Sequence, residues 1–220
     1  MKHGKKRIAV IGLGLFGSSL ARRLVRDAEV LVIDLDQGII NDIADEVHMA
    51  LRADARDYDN LAAAINDEFD EAVVCIGEQL EASILCVLHL QKLGVPRIHA
   101  KAINGDHGRI LRTMGVHDVI FPETEAAERL ARLIVNPNLV DFVELSDEVD
   151  VMEISPPGSV FSRTLLDLNP RQRFSVTVIA SKDAAGKTTV IPAMDTVVSA
   201  GMSLVVLGRA DAVAALRKLE

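Results

Sequence analysis

The chain has 220 residues, with 32 acidic against 24 basic side chains and a formal net charge of −8. That balance excludes a general nucleic-acid or anionic-membrane binder, which needs a basic face. One tyrosine, six phenylalanines and no tryptophan leave too few rings for base-stacking RNA modules or carbohydrate platforms.

A mean hydropathy of +0.24 is too apolar for disorder. At roughly 150 residues per domain, the length suits one domain plus a small second one. The apolar runs Ile8–Gly17 and Ala82–Leu90 fall well short of the ~20 residues of a spanning helix. The basic start, Met1–Arg7, leads into a strand pattern and not a cleavable leader, so a cytoplasmic chain is expected. Cys75 and Cys86 stand in apolar surroundings without CxxC spacing and read as buried free thiols.

In chain order, Arg7–Leu13 reads as a buried strand, followed by a glycine turn and a helix from Phe16 to Arg26. Strands Glu29–Leu35 and Val47–Arg52 flank a helix over Gln37–Asp45, and Asp57 is placed to cap a helix running to Asp67. Glu71–Gly77 is a fourth strand. The long helix Glu78–Leu93 follows, closed by Gly94 with Pro96 beyond. Arg97–Ala102 and His117–Phe121 are strands around a helix over Gly105–Met114, and a helix over Thr124–Val135 stops at Asn136-Pro137. Short continuous apolar strands alternating with helices mean a parallel sheet covered on both faces.

The pattern changes near residue 140. Leu139–Leu145 reads as continuing helix or linker. Strands are expected over Val149–Ile154, Phe174–Lys182, Thr188–Pro192 and Ser203–Gly208, with helices over Thr164–Leu168 and Ala210–Lys218. The fold class is therefore α/β, a Rossmann-like doubly wound sheet over residues 1–138 with a smaller α+β lobe over 139–220.

Gly12-Leu13-Gly14-Leu15-Phe16-Gly17 is a GxGxxG placed after a strand and opening a helix. Gly12 permits the turn, Gly14 lets backbone approach a pyrophosphate at the helix N-terminus, and Gly17 allows close helix–strand packing. Asp34 ends the second strand 22 residues after Gly12, where a carboxylate accepts both ribose hydroxyls and disfavours a 2′-phosphate. Asp36 is either a second ribose ligand or a helix cap. Asp54-Ala55 and Gly77-Glu78 follow the third and fourth strands, at the end of the sheet where ligands bind in such folds. Asp54 reads either as an adenine contact or as a loop aspartate. Ala185-Gly186-Lys187-Thr188 mimics the end of a phosphate loop, but Ser181 stands where the first glycine belongs and a strand follows. A hairpin turn is the reading. Catalytic constellations are not evident. The histidines lack metal-like spacing, Tyr58 has no lysine four residues on, and Asp106-His107 reads as a capping and solvated pair at a helix start.

The segments GLGLFGSSLARRL, VLVIDLD, RADARD, EAVVCIGEQLEASILCVLHLQKLGV, RIHAKAIN and GVHDVIFPETEAAERLA together resemble the N-terminal lobe of the RCK (regulator of potassium conductance) family. Within it they resemble the regulatory subunits of Trk/Ktr-type potassium uptake systems. FSRTLLDLNPRQRF and the closing strand–helix resemble the C-terminal lobe of the same subunits. The resemblance implies a lobe that binds ATP, ADP or NAD(H), and a homodimer assembling into an octameric ring beneath a membrane potassium-translocating subunit. Carried over by position, it implies that Gly12, Gly14, Phe16 and Gly17 hold the phosphates. Asp34 and Asp36 hold the ribose, and Asp54 and Ala55 read adenine. Ile76, Gly77 and Glu78 form the loop beside the nucleotide. Lys101 contacts a phosphate, and Glu123 lies near the terminal phosphate and a divalent cation, magnesium or calcium. Leu15 stands where Ktr-type subunits often carry an arginine, which adds weight to NAD(H) or a diphosphate. The resemblance also implies that the second lobe can bind a small regulator such as cyclic di-AMP between two subunits. Arg171, Arg173 and Pro192 stand at the matching places, against the plainer reading of surface arginines.

A gating subunit is the leading function. The alternatives are a small NAD-dependent oxidoreductase, which needs a proton donor beside the nicotinamide, and a free-standing nucleotide or redox sensor. The apolar circumference of Leu80–Leu93, with Leu130, Leu133 and Ile134, is expected to bury surface between subunits.

Overall fold

The structure, a computed structural model, describes residues 4–77, 79–146 and 148–217. The chain divides into two compact units, and the division falls between Glu125 and Ala126.

The first unit is built on strands β1 (Lys6–Ile11), β2 (Ala28–Asp34), β3 (Met49–Arg52), β4 (Glu71–Val74), β5 (Arg97–Lys101) and β6 (Asp118–Ile120). They form one sheet in the order β3-β2-β1-β4-β5-β6, and every pairing is parallel. This is the doubly wound order, with the strand direction of travel reversing between β1 and β4. The helices are α1 (Leu15–Leu24), α2 (Gln37–Ile43), α3 (Tyr58–Ala64), α4 (Leu80–Lys92), α5 (Gly105–Thr113) and the start of α6 (Pro122–Ile134).

Alternation along the strands explains the two cores. Val10, Val30, Val32 and Val73 face a layer with Ala21, Ile40 and Ile43 from α1 and α2. Ala9, Ile11, Leu31, Ile33 and Val74 face Leu61, Cys86, Val87, Leu90 and Leu111 from α3, α4 and α5. Each fully buried aliphatic side chain contributes about 1.5–3 kcal/mol, so the sheet is fixed from both sides. Local signals set the helix starts. Asp36 caps α2 by accepting from the N–H groups of Gly38 and Ile39, and Asp57 caps α3 by accepting from Asp59 N.

The second unit carries β7 (Leu139–Glu144), β8 (Asp150–Ile154), β9 (Thr177–Lys182), β10 (Thr188–Val190) and β11 (Ser203–Gly208), with α7 (Leu165–Leu168), α8 (Pro170–Phe174) and α9 (Ala210–Arg217). The strands form an antiparallel sheet in the order β10-β9-β11-β8-β7. Its core gathers Phe142, Met152, Ile154, Leu165, Leu168, Leu204, Val206, Val213 and Leu216. Buried Asp150 is paired with Arg132, which also reaches Glu144.

Three expectations need correction. Leu139–Glu144 is neither helix nor linker but strand β7. A register shift between Leu139 and Asp141 turns both Leu139 and Phe142 inward, three residues apart, which mimics helical spacing. The strand expected from Phe174 starts at Thr177, because Pro170–Phe174 forms α8. His107 is not solvated. Asn104 caps α5 through His107 N, and the imidazole is fully buried, with its Nδ1 accepting from Ile103 N. The turn at Asp183–Lys187 is the expected hairpin, closed by bonds to the Asp183 carboxylate.

Candidate functional site

The glycine turn leaves β1 at the switch point. Gly12 has φ +91°, and a Cβ there would stand 2.9 Å from the amide nitrogen of Ile76, in the segment after β4. Only glycine meets both the positive φ and the close approach without strain. A Cβ on Gly17 would stand 2.0 Å from the carbonyl oxygen of Gly12, so helix α1 lies directly on the turn. Gly14 differs. A Cβ there would meet nothing within 4 Å. Gly14 is also the N-cap of α1 without a side-chain cap bond, and the first turn of that helix holds no acidic residue. Its leading N–H groups and positive dipole end therefore face open space, which suits an anion. Phe16 is half-buried against the first-face core, whereas Leu15 is 91% exposed.

Asp34 ties the turn to β2. Its carboxylate accepts from Leu13 N at 2.6 Å and from Asp36 N at 2.9 Å. Each carboxylate oxygen keeps a second acceptor site, so the group is positioned by backbone and still able to receive ribose hydroxyls. Asp36 is occupied as the cap of α2 through one of its oxygens.

Asp54 is half-buried and gripped by Arg56. The Arg56 backbone N–H donates to Oδ1 at 2.9 Å, and its guanidinium reaches both oxygens. The Arg56 guanidinium and N–H hold this carboxyl below the usual carboxylate range. Reading the sequence residue by residue missed Arg56; the signal was an arginine two residues after the aspartate. Ala55 is buried in the core below this loop.

Across the switch point lie Ile76 and Gly77, both half-buried. Glu78 lies outside the described residues. The Lys101 ammonium would be 3.3 Å from a Cβ on Gly77, and it donates to Glu123 Oε1 at 2.5 Å. This bond, first, and the backbone at the start of α6 hold the Glu123 carboxyl below its ordinary range. Among the described residues, no group of three His, Cys, Asp or Glu side chains could hold a metal ion. The structure thus brings Gly12, Gly14, Gly17, Asp34 and Ile76 to one turn, with Gly77, Lys101 and Glu123 along the same sheet end.

Cys75 and Cys86 are buried free thiols. Burial pushes the Cys75 thiol up to about 12 and raises Cys86 as well. On α4, Ala82, Ser83, Cys86, Val87 and Leu90 are buried within the unit, while Leu80 and Leu88 are 38% and 50% exposed. On α6, Leu133 packs against the second core, and Leu130 and Ile134 are 57% and 68% exposed. In the second unit Pro192 is buried, Arg171 is exposed, and Arg173 lies over the Phe174 ring.

Comparison with known proteins then decides the family. The TrkA-N domain profile matches residues 8–122, more than half of the chain, and the TrkA-C domain profile matches 151–220. The chain belongs to the TrkA family. This TrkA-family chain is 36% identical over 193 residues to the Ktr system potassium uptake protein C of Bacillus subtilis (strain 168), spanning 87% of this chain and 86% of that protein. The crystal structure of the GsuK RCK domain superposes over the whole of this chain and 48% of its own, with a TM-score of 0.67 at 19% identity. A GsuK channel bound to NAD matches 96% of this chain and 38% of its own, with a TM-score of 0.54 at 20% identity. The chain therefore spans less than half of those solved chains, and at such identities the likeness shows the fold. The resemblance to RCK lobes read from the sequence is borne out.

Proposed function

We propose that this chain is the nucleotide-binding regulatory subunit of a membrane potassium uptake system. One observation carries the reading: a glycine turn left open at Gly14, wired to Asp34, in a chain aligned nearly end to end with a Ktr potassium uptake protein. The ligand is an adenine nucleotide, ADP, ATP or NAD(H). Gly14 and the start of α1 would hold its phosphates, Asp34 its ribose, and Asp54 its base, while Lys101 supplies the nearby positive charge. The bound group supplies no covalent chemistry in this reading; its free energy of binding is what the protein uses. A divalent cation near Glu123 would draw its remaining ligands from the phosphates or from a second copy.

No helix among the described residues is long and apolar enough to cross a membrane. Ion passage in this reading belongs to a separate translocating subunit, with this chain at its cytoplasmic face. The aliphatic side chains left exposed on α4 and α6 favour assembly of copies, as dimers and then an octameric ring. A second regulator such as cyclic di-AMP would bind at the second unit, where Arg171 and Arg173 are exposed. The chain acts as a regulator and not an enzyme. A hydride-transfer site needs a proton donor beside the nicotinamide, and the likeness to potassium uptake proteins favours the regulatory reading over that one.

A ligand shifts a gate only through unequal affinity for its two states. A tenfold preference per site is worth about 1.4 kcal/mol, and such terms sum over the protomers of a ring. The test is calorimetric titration of the purified chain with ADP, ATP, NAD and NADH, with mass spectrometry of any nucleotide released on denaturation. Saturable binding that is lost in Gly14→Ala supports the site. Failure of all four ligands to bind overturns it.

A further inference from the structure

We propose that the Lys101–Glu123 ion pair is a latch on the phosphate site, in which Glu123 and the phosphates of the ligand compete for one ammonium. The inference rests on the nucleotide reading above and names the contact that would register occupancy.

The pair is asymmetric. The Lys101 side chain, at the end of β5, is 14% exposed, while that of Glu123 is 70% exposed. The cation is fixed by its surroundings, and the carboxylate is the partner free to leave. Two observations put that cation on the side of the glycine turn. Its Nζ lies against Gly77, in the same short segment whose Ile76 N–H stands 2.9 Å from the Cβ position of Gly12. Its charge also acts on the Cys75 thiol, and the Cβ of Cys75 lies 3.1 Å from the Cβ position of Gly17. Glycine turn, β4 segment and ammonium are thus contiguous.

The competition favours the ligand. An ion pair with one exposed partner gains little, because water and salt screen it. A diphosphate brings more charge and more acceptor oxygens to the same three N–H donors. Release does not strand Glu123 either. It sits in the first turn of α6, directly after Pro122, where the positive end of the helix dipole stabilises a free carboxylate. Binding therefore exchanges one acceptor of Lys101 for another and frees a charged side chain at the start of α6.

The experiment compares ADP with adenosine, which has no phosphate, by calorimetric titration of the full chain in EDTA. The reading is the ratio of the two affinities in the unsubstituted protein, Glu123→Gln, Lys101→Met and the double variant. Removing the competitor raises the ADP-to-adenosine ratio about twofold to fivefold in Glu123→Gln. Removing the ammonium lowers it about tenfold or more in Lys101→Met. In the Lys101→Met background the Glu123→Gln gain disappears. An unchanged or lowered ratio in Glu123→Gln, or a gain that persists without Lys101, overturns the latch. If the unsubstituted protein binds neither ADP nor adenosine, the nucleotide reading itself fails, and the latch fails with it. Glu123→Gln is at an exposed position, so the central comparison does not depend on a variant that risks the fold.

Discussion

Gly14→Ala and Gly17→Ala differ by three positions in one turn, and the structure predicts opposite outcomes for them. At Gly14 the backbone has φ −60° and ψ −175°, an ordinary extended conformation, and an added Cβ meets nothing within 4 Å. Two small terms oppose each other there. Alanine is a poorer N-cap than glycine by about 0.5–1 kcal/mol. It also restricts the unfolded chain, which returns about 0.4–1 kcal/mol. The net change is within about 1 kcal/mol, or roughly 3–5 °C in Tm for a unit of this size. In the proposed nucleotide site the methyl group would occupy the space through which a phosphate reaches the N–H groups of α1, so ligand affinity should fall about tenfold or more. At Gly17 the Cβ would stand 2.0 Å from the carbonyl oxygen of Gly12. Helix α1 must move off the turn, at a cost of about 3 kcal/mol or more. Urea unfolding and nucleotide titration of both variants check the pair. Gly14→Ala that binds like the unsubstituted chain, or Gly17→Ala that unfolds like it, would refute the assignment of the two glycines.

Three further outcomes follow from the charges and thiols. Arg132→Ala leaves the buried Asp150 carboxylate without its guanidinium and should cost about 3 kcal/mol, read as a lower urea midpoint; a loss under 1 kcal/mol would contradict the pairing. Glu71 is held below its ordinary range by the Lys6 ammonium at 2.5 Å and then by His99. A depressed carboxyl contributes stability above its unfolded value of about 4.3 and loses it as pH falls through the folded value. The stability gap between the unsubstituted chain and Glu71→Gln should therefore shrink between pH 7 and pH 3, and a constant gap would count against it. Burial raises the Cys75 thiol to about 12, so a thiol reagent at pH 8 should label neither cysteine in the native chain and both in denaturant.

The first unit was legible because its strands are buried on both faces. Runs such as Ala9–Ile11 and Val30–Ile33 carry no competing helical period, and Asp36 and Asp57 mark helix starts with their own side chains. Asp34 was singled out by its spacing from the glycine turn, and the structure adds how its carboxylate is held, through the N–H of Leu13. What the sequence hid were contacts between distant or unexpected partners. The grip of Arg56 on Asp54 and the bond from Lys101 to Glu123 follow no short motif. Strand β7 was misread because its bulge spaces Leu139 and Phe142 as a helix would. His107 was misread because a polar side chain beside an aspartate looks solvated, while Asn104 had already taken the cap.

The central claim is that a nucleotide at the Gly14 turn sets potassium movement through a membrane partner. The most direct measurement is potassium flux in proteoliposomes that hold this chain with its translocating subunit, with and without saturating nucleotide. The account predicts a flux that changes on adding nucleotide to the unsubstituted chain and stays constant with Gly14→Ala. An unchanged flux while the nucleotide is demonstrably bound would contradict it.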